Sequence, residues 1–394
     1  MTSTYCYATV EEAPAILASV MFVDNHYGGS YYPAGSTLFL PGKLEKVIEE
    51  NQGDMFLDSE VVSIIFDNKK PAGVLLNDGR IIKSEYIIYS GTVWNLYDNL
   101  IDPKYSSEKR RLWAKNQEPT YPSVVLYATV EKSVIPEDTA PIEMLVGTVD
   151  KLDESEVTAY ILSIDDKTLC LSDRHVVMAI GPSFGNWNFE DLKDYKKRKN
   201  EEKDRLISVL EKRFPGFTNA VIHSEVATPR TIERYNMKNG GAVAGPKQML
   251  GQHMFKRMRT RSEWDNLFSC GESTVMGTGT PTVTVSGLSA ANAVLKKIGK
   301  EPFIYKKDMK NYVRYLEKPV TKDMLYGNYS QEEKDIMHKA RSCRFCEHPT
   351  CTRPTTMDVR GIMRRVAVGN YKGAYKAWLK TPLHNSLLDK FESK

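Results

Sequence analysis

Residues 267–294 constrain the fold of this chain most strongly, because an apolar strand, a glycine-rich turn and a helix-like run follow one another directly. The stretch after the strand reads CGESTVMGTGTPTVTVSGLSAANAV. Its glycines, among them Gly271 and Gly279, allow a ligand to approach the backbone closely. The unpaired N–H groups of a helix N-terminus favour an anion or an electron-rich ring edge. The pattern therefore predicts one wall of an anion site, although a helix packed closely on a sheet would need the same small residues.

Composition excludes several classes of protein. Among the 394 residues, 54 are basic and 50 acidic. This near balance argues against nucleic-acid binding, and no nucleic-acid motif supports it. No uncharged apolar run approaches the ~20 residues that span a bilayer, and Met1–Tyr5 lacks the features of a secretory signal. We therefore expect a cytoplasmic protein.

The order of predicted elements indicates a mixed α/β or α+β fold. Residues 10–22 have helical spacing, and the segment 60–91 predicts an antiparallel meander that turns at an Asn-Asp-Gly hairpin and ends in an apolar strand. Longer strands follow up to about residue 182. The charged run 190–213 predicts a helix with a solvated face, and no internal repeat is present.

Four segments in the same order resemble one known family. They are residues 23–36, 61–90, 214–235 and 270–294. Together they resemble the FAD-dependent carotenoid desaturases and carotenoid isomerases, within the wider amine-oxidase-like flavoproteins. The resemblance covers roughly residues 1 to 300.

The resemblance implies an incomplete FAD-binding domain of the glutathione-reductase type, a substrate domain built on an antiparallel sheet, and a C-terminal helical segment that contains cysteines. The implied division is as follows: 1–30, substrate-domain helix and strand; 31–95, part of the FAD domain; 96–220, substrate domain; 221–300, C-terminal part of the FAD domain; 301–325, linker; 326–394, ferredoxin-like helical segment.

The resemblance also implies which residues meet the flavin. Gly271 and Glu272 match the ribityl and pyrophosphate end, and Val61 matches a valine whose backbone meets the adenine. The implied set is Val61, Ser90, Gly91, Gly271, Glu272, Gly279, Thr280, Pro281 and Thr282. From the residues alone, a core valine at position 61 and a strand end at Ser90-Gly91 are the favoured interpretations. The sequence identifies no catalytic side chain.

A dinucleotide site needs a second phosphate cradle, the GxGxxG turn of a βαβ unit. No segment of the sequence matches it. A truncated chain, one half of a split enzyme completed by a second chain, and a decayed remnant all remain open. We expect FAD binding by this chain alone to be weak or absent.

Three cysteines, Cys343, Cys346 and Cys351, crowd into a short segment. This segment resembles the iron–sulfur segment of the glutamate synthase small-subunit family. Thr355 stands where that family has its fourth cysteine, whereas a [4Fe–4S] cluster normally takes four thiolates. A labile iron–sulfur cluster, a zinc site that includes His348, and no metal at all remain open.

No hydrolase or phosphoryl-transfer motif is present. The resemblance implies hydride exchange at flavin N5 with an apolar, polyene-like substrate, by desaturation or isomerisation. The alternative is a non-catalytic or electron-transfer subunit of a flavoprotein and iron–sulfur complex. The family also implies peripheral contact with a membrane, for which residues 247–261 supply apolar and basic side chains. From the residues alone, a solvated surface loop is the favoured interpretation of this segment.

Overall fold

The computed structural model of the chain describes residues 7–23, 26–27, 29, 31–151, 155–275, 277–352 and 357–380. The strands are β1 (Val61–Asp67), β2 (Lys70–Leu76), β3 (Ile81–Lys83), β4 (Ile87–Tyr89), β5 (Ser123–Glu131), β6 (Ile142–Val146), β7 (Glu156–Tyr160), β8 (Arg174–Pro182), β9 (Val221–Ala227) and β10 (Leu267–Ser269). The helices are α1 (Ala15–Val23), α2 (Phe39–Glu50), α3 (Glu108–Lys115), α4 (Leu192–Arg213), α5 (Phe217–Ala220), α6 (Pro229–Asn236), α7 (Thr280–Lys297), α8 (Lys322–Tyr326), α9 (Gln331–Ala340), α10 (Val359–Val366) and α11 (Tyr371–Leu379). The predicted mixture of helices and sheets is confirmed.

The chain forms two compact units. Unit 1 comprises Met1–Ser30, Asp58–Ile161 and Asp173–Val313, and unit 2 comprises Tyr31–Leu57, Leu162–Ser172 and Arg314–Lys394. The division into six segments along the sequence stays a prediction. Among the described residues, no helix is both long enough and apolar enough to cross a membrane.

A five-stranded antiparallel sheet in unit 1 has the order β6-β7-β8-β5-β9. The helix α4 forms where the charged run predicted one, and the carboxylate of Asp191 caps it by accepting a bond from the N–H of Lys193. Leu206 and Leu210 of α4 are fully buried, and Leu206 lies against Gly181 of β8. Burying each leucine contributes about 1.5–3 kcal/mol. The helix therefore covers one face of this sheet.

The meander β1-β2-β3 is antiparallel, as predicted, and Gly79 supplies the positive φ of its hairpin turn. The apolar strand that was predicted to end this meander, β4, lies elsewhere: it pairs in parallel with β10. The amide of Asn266 accounts for the difference, since its nitrogen donates to the carbonyls of Pro71 and Glu85, each at 2.7 Å. These bonds hold the residue before β10 beside the chain that enters β4.

Unit 2 contains a buried cluster of charges between α2 and the segment α10–α11. Glu45 and Glu49 of α2 form ion pairs with Arg364 and Arg365 of α10, and the amide of Asn370 donates to Glu49 at 2.6 Å. Burial alone raises the pKa of the Glu49 carboxyl, but the bonds from Arg365 and Asn370 outweigh it and lower that pKa. Glu49 is therefore held as a carboxylate.

Arg365→Met should destabilise unit 2 strongly. The variant leaves Glu45 and Glu49 buried without their shared guanidinium, which costs about 3–5 kcal/mol. Urea unfolding at neutral pH measures this cost, with the exposed Lys372→Met as the control for a lost surface charge.

The same cluster sets a pH dependence. The pKa of Glu49 is lower in the folded chain than in the unfolded chain, so its contribution is complete above its ordinary pKa. That contribution is lost as the pH falls through the folded-state value. The difference between wild type and Arg365→Met should therefore shrink in acid, and a difference that does not change with pH would contradict this account.

Candidate functional site

The ends of β4 and β10 bring two of the predicted turns together. Residues 267–269 pair in parallel with residues 87–89, and the N–H of Cys270 donates to the carbonyl of Tyr89 at 2.9 Å. Both strands therefore end at the same edge. The turn Ser90-Gly91 lies there beside Cys270-Gly271. Carboxyl ends of parallel strands are where α/β folds commonly bind ligands.

Only glycine fits at position 271, because there is no space for a side chain beside Ser90. Its φ is +85°, and a Cβ atom at this position would lie 2.8 Å from the carbonyl oxygen of Ser90. Its N–H donates to the hydroxyl of Ser286 in α7 at 2.9 Å. The residue therefore joins both strand ends to the helix that follows.

Glu272 turns its side chain toward Lys238, with which it forms an ion pair. Its carboxylate also lies against Gly245, where a Cβ would come within 3.0 Å of its Cγ. Burial raises the pKa of the nearby Tyr89 phenol, and the charge of Glu272 raises it further. Tyr89 therefore stays protonated, and it donates to the carbonyl of Thr92 at 2.7 Å.

The N-terminus of α7 is exposed. Gly279 caps the helix at φ +104°, and Thr280 and Pro281 in the first turn are open to solvent. The hydroxyl of Thr282 donates to the carbonyl of Gly279 at 2.8 Å, within its own turn. The positive end of an 18-residue helix dipole is thus presented without a side-chain cap.

Val61 lies in a different sheet from these residues. It is the first residue of β1, opposite Leu76 in the meander, and it is partly exposed. The structure thus brings Ser90, Gly91 and Gly271 together and leaves the adenine role of Val61 a prediction.

The sequence did not single out Lys238, Ser273 or Ser286. Ser273 is fully buried, and its hydroxyl accepts from the N–H of Val93 at 3.1 Å, which ties the turn after β10 to the turn after β4. Ser286 could be recognised only as one small residue among several in the helix. Lys238 and Ser273 carried no local signal, because their partners are distant in sequence.

Two of the basic side chains in the segment 247–261, which was predicted as a membrane contact, are buried. Lys247 is buried between Glu12 and Glu118, and Arg257 is 2% exposed. Since both cations are bound within the protein, they are not available to lipid in this conformation. Leu250 and Phe255 remain exposed. A membrane contact stays a prediction.

The three clustered cysteines are described, and they do not form a ligand set. Cys343 is partly buried, whereas Cys346 and Cys351 are exposed. Among the residues that the structure describes, no three His, Cys, Asp or Glu side chains lie close enough to hold a metal ion. Thr355 lies outside these residues. The iron–sulfur and zinc interpretations therefore lack structural support and stay predictions.

Comparison with known proteins decides the family. The family model described as "Flavin containing amine oxidoreductase" matches residues 4–295. The chain belongs to this family. The amine oxidoreductase match covers most of unit 1 and the first two segments of unit 2, including both glycine turns.

Curated relatives of this amine oxidoreductase chain include a prolycopene isomerase and a 4,4'-diapophytoene desaturase. The chloroplastic prolycopene isomerase of Daucus carota is 29% identical over 299 residues, which cover 74% of this chain and 48% of the isomerase. The 4,4'-diapophytoene desaturase (4,4'-diapolycopene-forming) of Methylomonas sp is 23% identical over 312 residues, covering 75% and 59%. The chain thus spans about half the length of these relatives.

A solved oxidoreductase from Methanosarcina mazei supports the fold. It matches with a TM-score of 0.54 at 14% identity, covering 74% of this chain and 62% of the other. Family membership indicates a flavin cofactor. The residues present fit part of FAD: Gly279 places no side chain at the exposed start of α7, and the uncapped N-terminus of this helix suits the electron-rich or anionic groups of the cofactor.

Gly271→Ala should disrupt this edge. The new Cβ would meet backbone that cannot move aside, and φ +85° is strained for alanine, so we expect a loss of about 1–3 kcal/mol. The matched control is Gly287→Ala in α7, where a Cβ meets nothing within 4 Å. That variant should be neutral or stabilising by up to about 1 kcal/mol. Equal stabilities of the two variants in urea unfolding would contradict the assigned geometry.

Proposed function

We propose that this chain supplies one wall of the FAD site of an oxidoreductase that acts on an apolar, polyene-like substrate. The observation that carries the proposal is the convergence of Ser90-Gly91, Gly271 and the N-terminus of α7 around the ends of two parallel strands. When bound, the flavin would supply hydride exchange at its N5. Desaturation and isomerisation both fit this role.

One face of the five-stranded sheet supports the proposal that the substrate is apolar. Side chains alternate across its faces, and the face against α4 contains the buried Leu126 and Ala179. The registers place apolar side chains on the opposite face, where they are about one third to one half exposed. They are Tyr127, Ile142, Met144, Val146 and Val176. Glu225, opposite Tyr127, and Glu156, opposite Val146, border this apolar patch. An exposed apolar patch with polar groups at its rim is typical of a ligand-binding or interaction surface.

The chain's own residues would bind and orient the cofactor. The Gly271 turn and the α7 N-terminus would hold its ribityl and ring end, as the family resemblance implies. Lys238 would fix the carboxylate of Glu272 in place. The apolar sheet face would exclude water from a substrate that lies along it.

A further βαβ unit is part of the proposal. Within the described residues, the sheet of β4 and β10 has two strands only. Parallel strands are normally found in larger sheets that are covered on both faces. We infer that a segment carrying a GxGxxG turn adds strands to this sheet and supplies the second phosphate cradle.

The purified chain should contain no tightly bound flavin. Its own residues meet only part of the cofactor, so FAD should bind weakly and saturably in a fluorescence titration. Stoichiometric flavin retained through gel filtration would contradict the need for a second unit. Complete absence of binding at every concentration reached would count against the FAD site itself.

Met144→Glu should weaken binding of a long polyene to the apolar face. A carboxylate on this surface would be desolvated by the ligand, and we expect affinity to fall by about tenfold or more. The control is Lys197→Gln on the exposed surface of α4, which changes the net charge by the same amount. Absorbance shifts of the polyene report binding, and equal affinities for both variants would contradict the assignment of this face.

A further inference from the structure

Arg257 lies behind the turn that follows β10. Its side chain is almost completely buried, and its three guanidinium nitrogens donate to backbone carbonyls of two separate segments. Nε donates to Thr274 at 2.9 Å, Nη2 to Glu272 at 2.5 Å, and Nη1 to Pro246 at 2.5 Å. A planar guanidinium suits this task, because its donors point in fixed directions.

Three successive carbonyls of the turn are held by the same short segment. Arg257 holds those of Glu272 and Thr274, and the N–H of Met258 donates to that of Ser273 at 3.3 Å. In a planar trans peptide the N–H points opposite to the C=O. Fixing these carbonyls therefore fixes the direction of the three successive peptide groups that follow Glu272.

The bond to Pro246 extends this effect to the facing loop. Gly245 lies directly against the carboxylate-bearing side chain of Glu272. Because one guanidinium bonds both segments, it sets the spacing between Gly245 and the turn. The Glu272 side chain is then directed toward Lys238.

We propose that Arg257 is a positioning residue for the cofactor site. It holds the turn 271–274, and through this turn the Glu272 carboxylate, in the geometry that meets FAD. This inference rests on the proposed function. Arg257 does not contact the cofactor itself, because it is buried behind the backbone that would do so.

Arg257→Lys tests the proposal, since lysine keeps the charge but cannot reach three carbonyls in one plane. Arg259→Lys is the matched control, because Arg259 is exposed two residues further along. In hydrogen exchange of the full chain, Arg257→Lys should accelerate exchange within residues 271–279 by about tenfold or more, which corresponds to local opening. Peptides from β5 and β8 should exchange as in the wild type.

A double-mutant cycle on FAD affinity distinguishes an effect of Arg257 through Glu272 from a general effect on the stability of the fold. Arg257→Lys and Glu272→Gln should each lower the affinity for FAD by about tenfold. The affinity of the double variant should be no lower than that of the single variant with the lower affinity. This non-additivity is expected because Arg257 acts through Glu272. Multiplicative effects, or unchanged affinity in Arg257→Lys, would overturn the proposal.

The exchange measurement tests the role of Arg257 in the turn independently of the proposed FAD site. Unchanged exchange at residues 271–279, or equal acceleration throughout unit 1, would overturn the role of Arg257 whether or not FAD binds. A wild-type chain that binds no FAD at all would overturn the proposed function and the cofactor role of Arg257, while the exchange result would still decide whether this arginine holds the turn.

Discussion

The parallel pairing of β4 with β10 is the constraint on which the candidate site depends. Two glycine turns that are distant in sequence can serve one ligand only if their strands run side by side in the same direction. The pairing of residues 87–89 with residues 267–269 meets that condition. The close approach of Gly271 to Ser90 then follows from the register of the strands, and the bond from Gly271 to Ser286 joins α7 to the same edge.

Local patterns predicted the elements that depend on local physics. The helix α4 follows from apolar residues at helical spacing in a charged run, and the hairpin follows from the need for a positive φ at Gly79. A helix also follows the glycine turn, as predicted, and Pro281 lies in its first turn. In each of these elements the residues that indicate it lie close together in the sequence, so a single sequence contains the signal.

Long-range contacts could not be predicted in this way. The apolar strand at 87–89 looks like a continuation of the meander, because its partner β10 is remote in sequence. Lys247 and Arg257 look like surface cations, since composition does not reveal that Glu118 and the carbonyls of Pro246, Glu272 and Thr274 surround them. A family resemblance supplied the candidate cofactor residues, and the structure explains how some of them come together.

The most direct test of the account is to locate the flavin on the chain. Photolabelling with an azido-substituted FAD, followed by peptide mapping, identifies the residues next to the isoalloxazine ring. The account predicts label within residues 277–285, around the N-terminus of α7, and its loss on competition with unlabelled FAD. Competable label confined to residues 314–380, or to the outer surface of α4, would contradict the assignment of the strand ends and α7 as the cofactor wall.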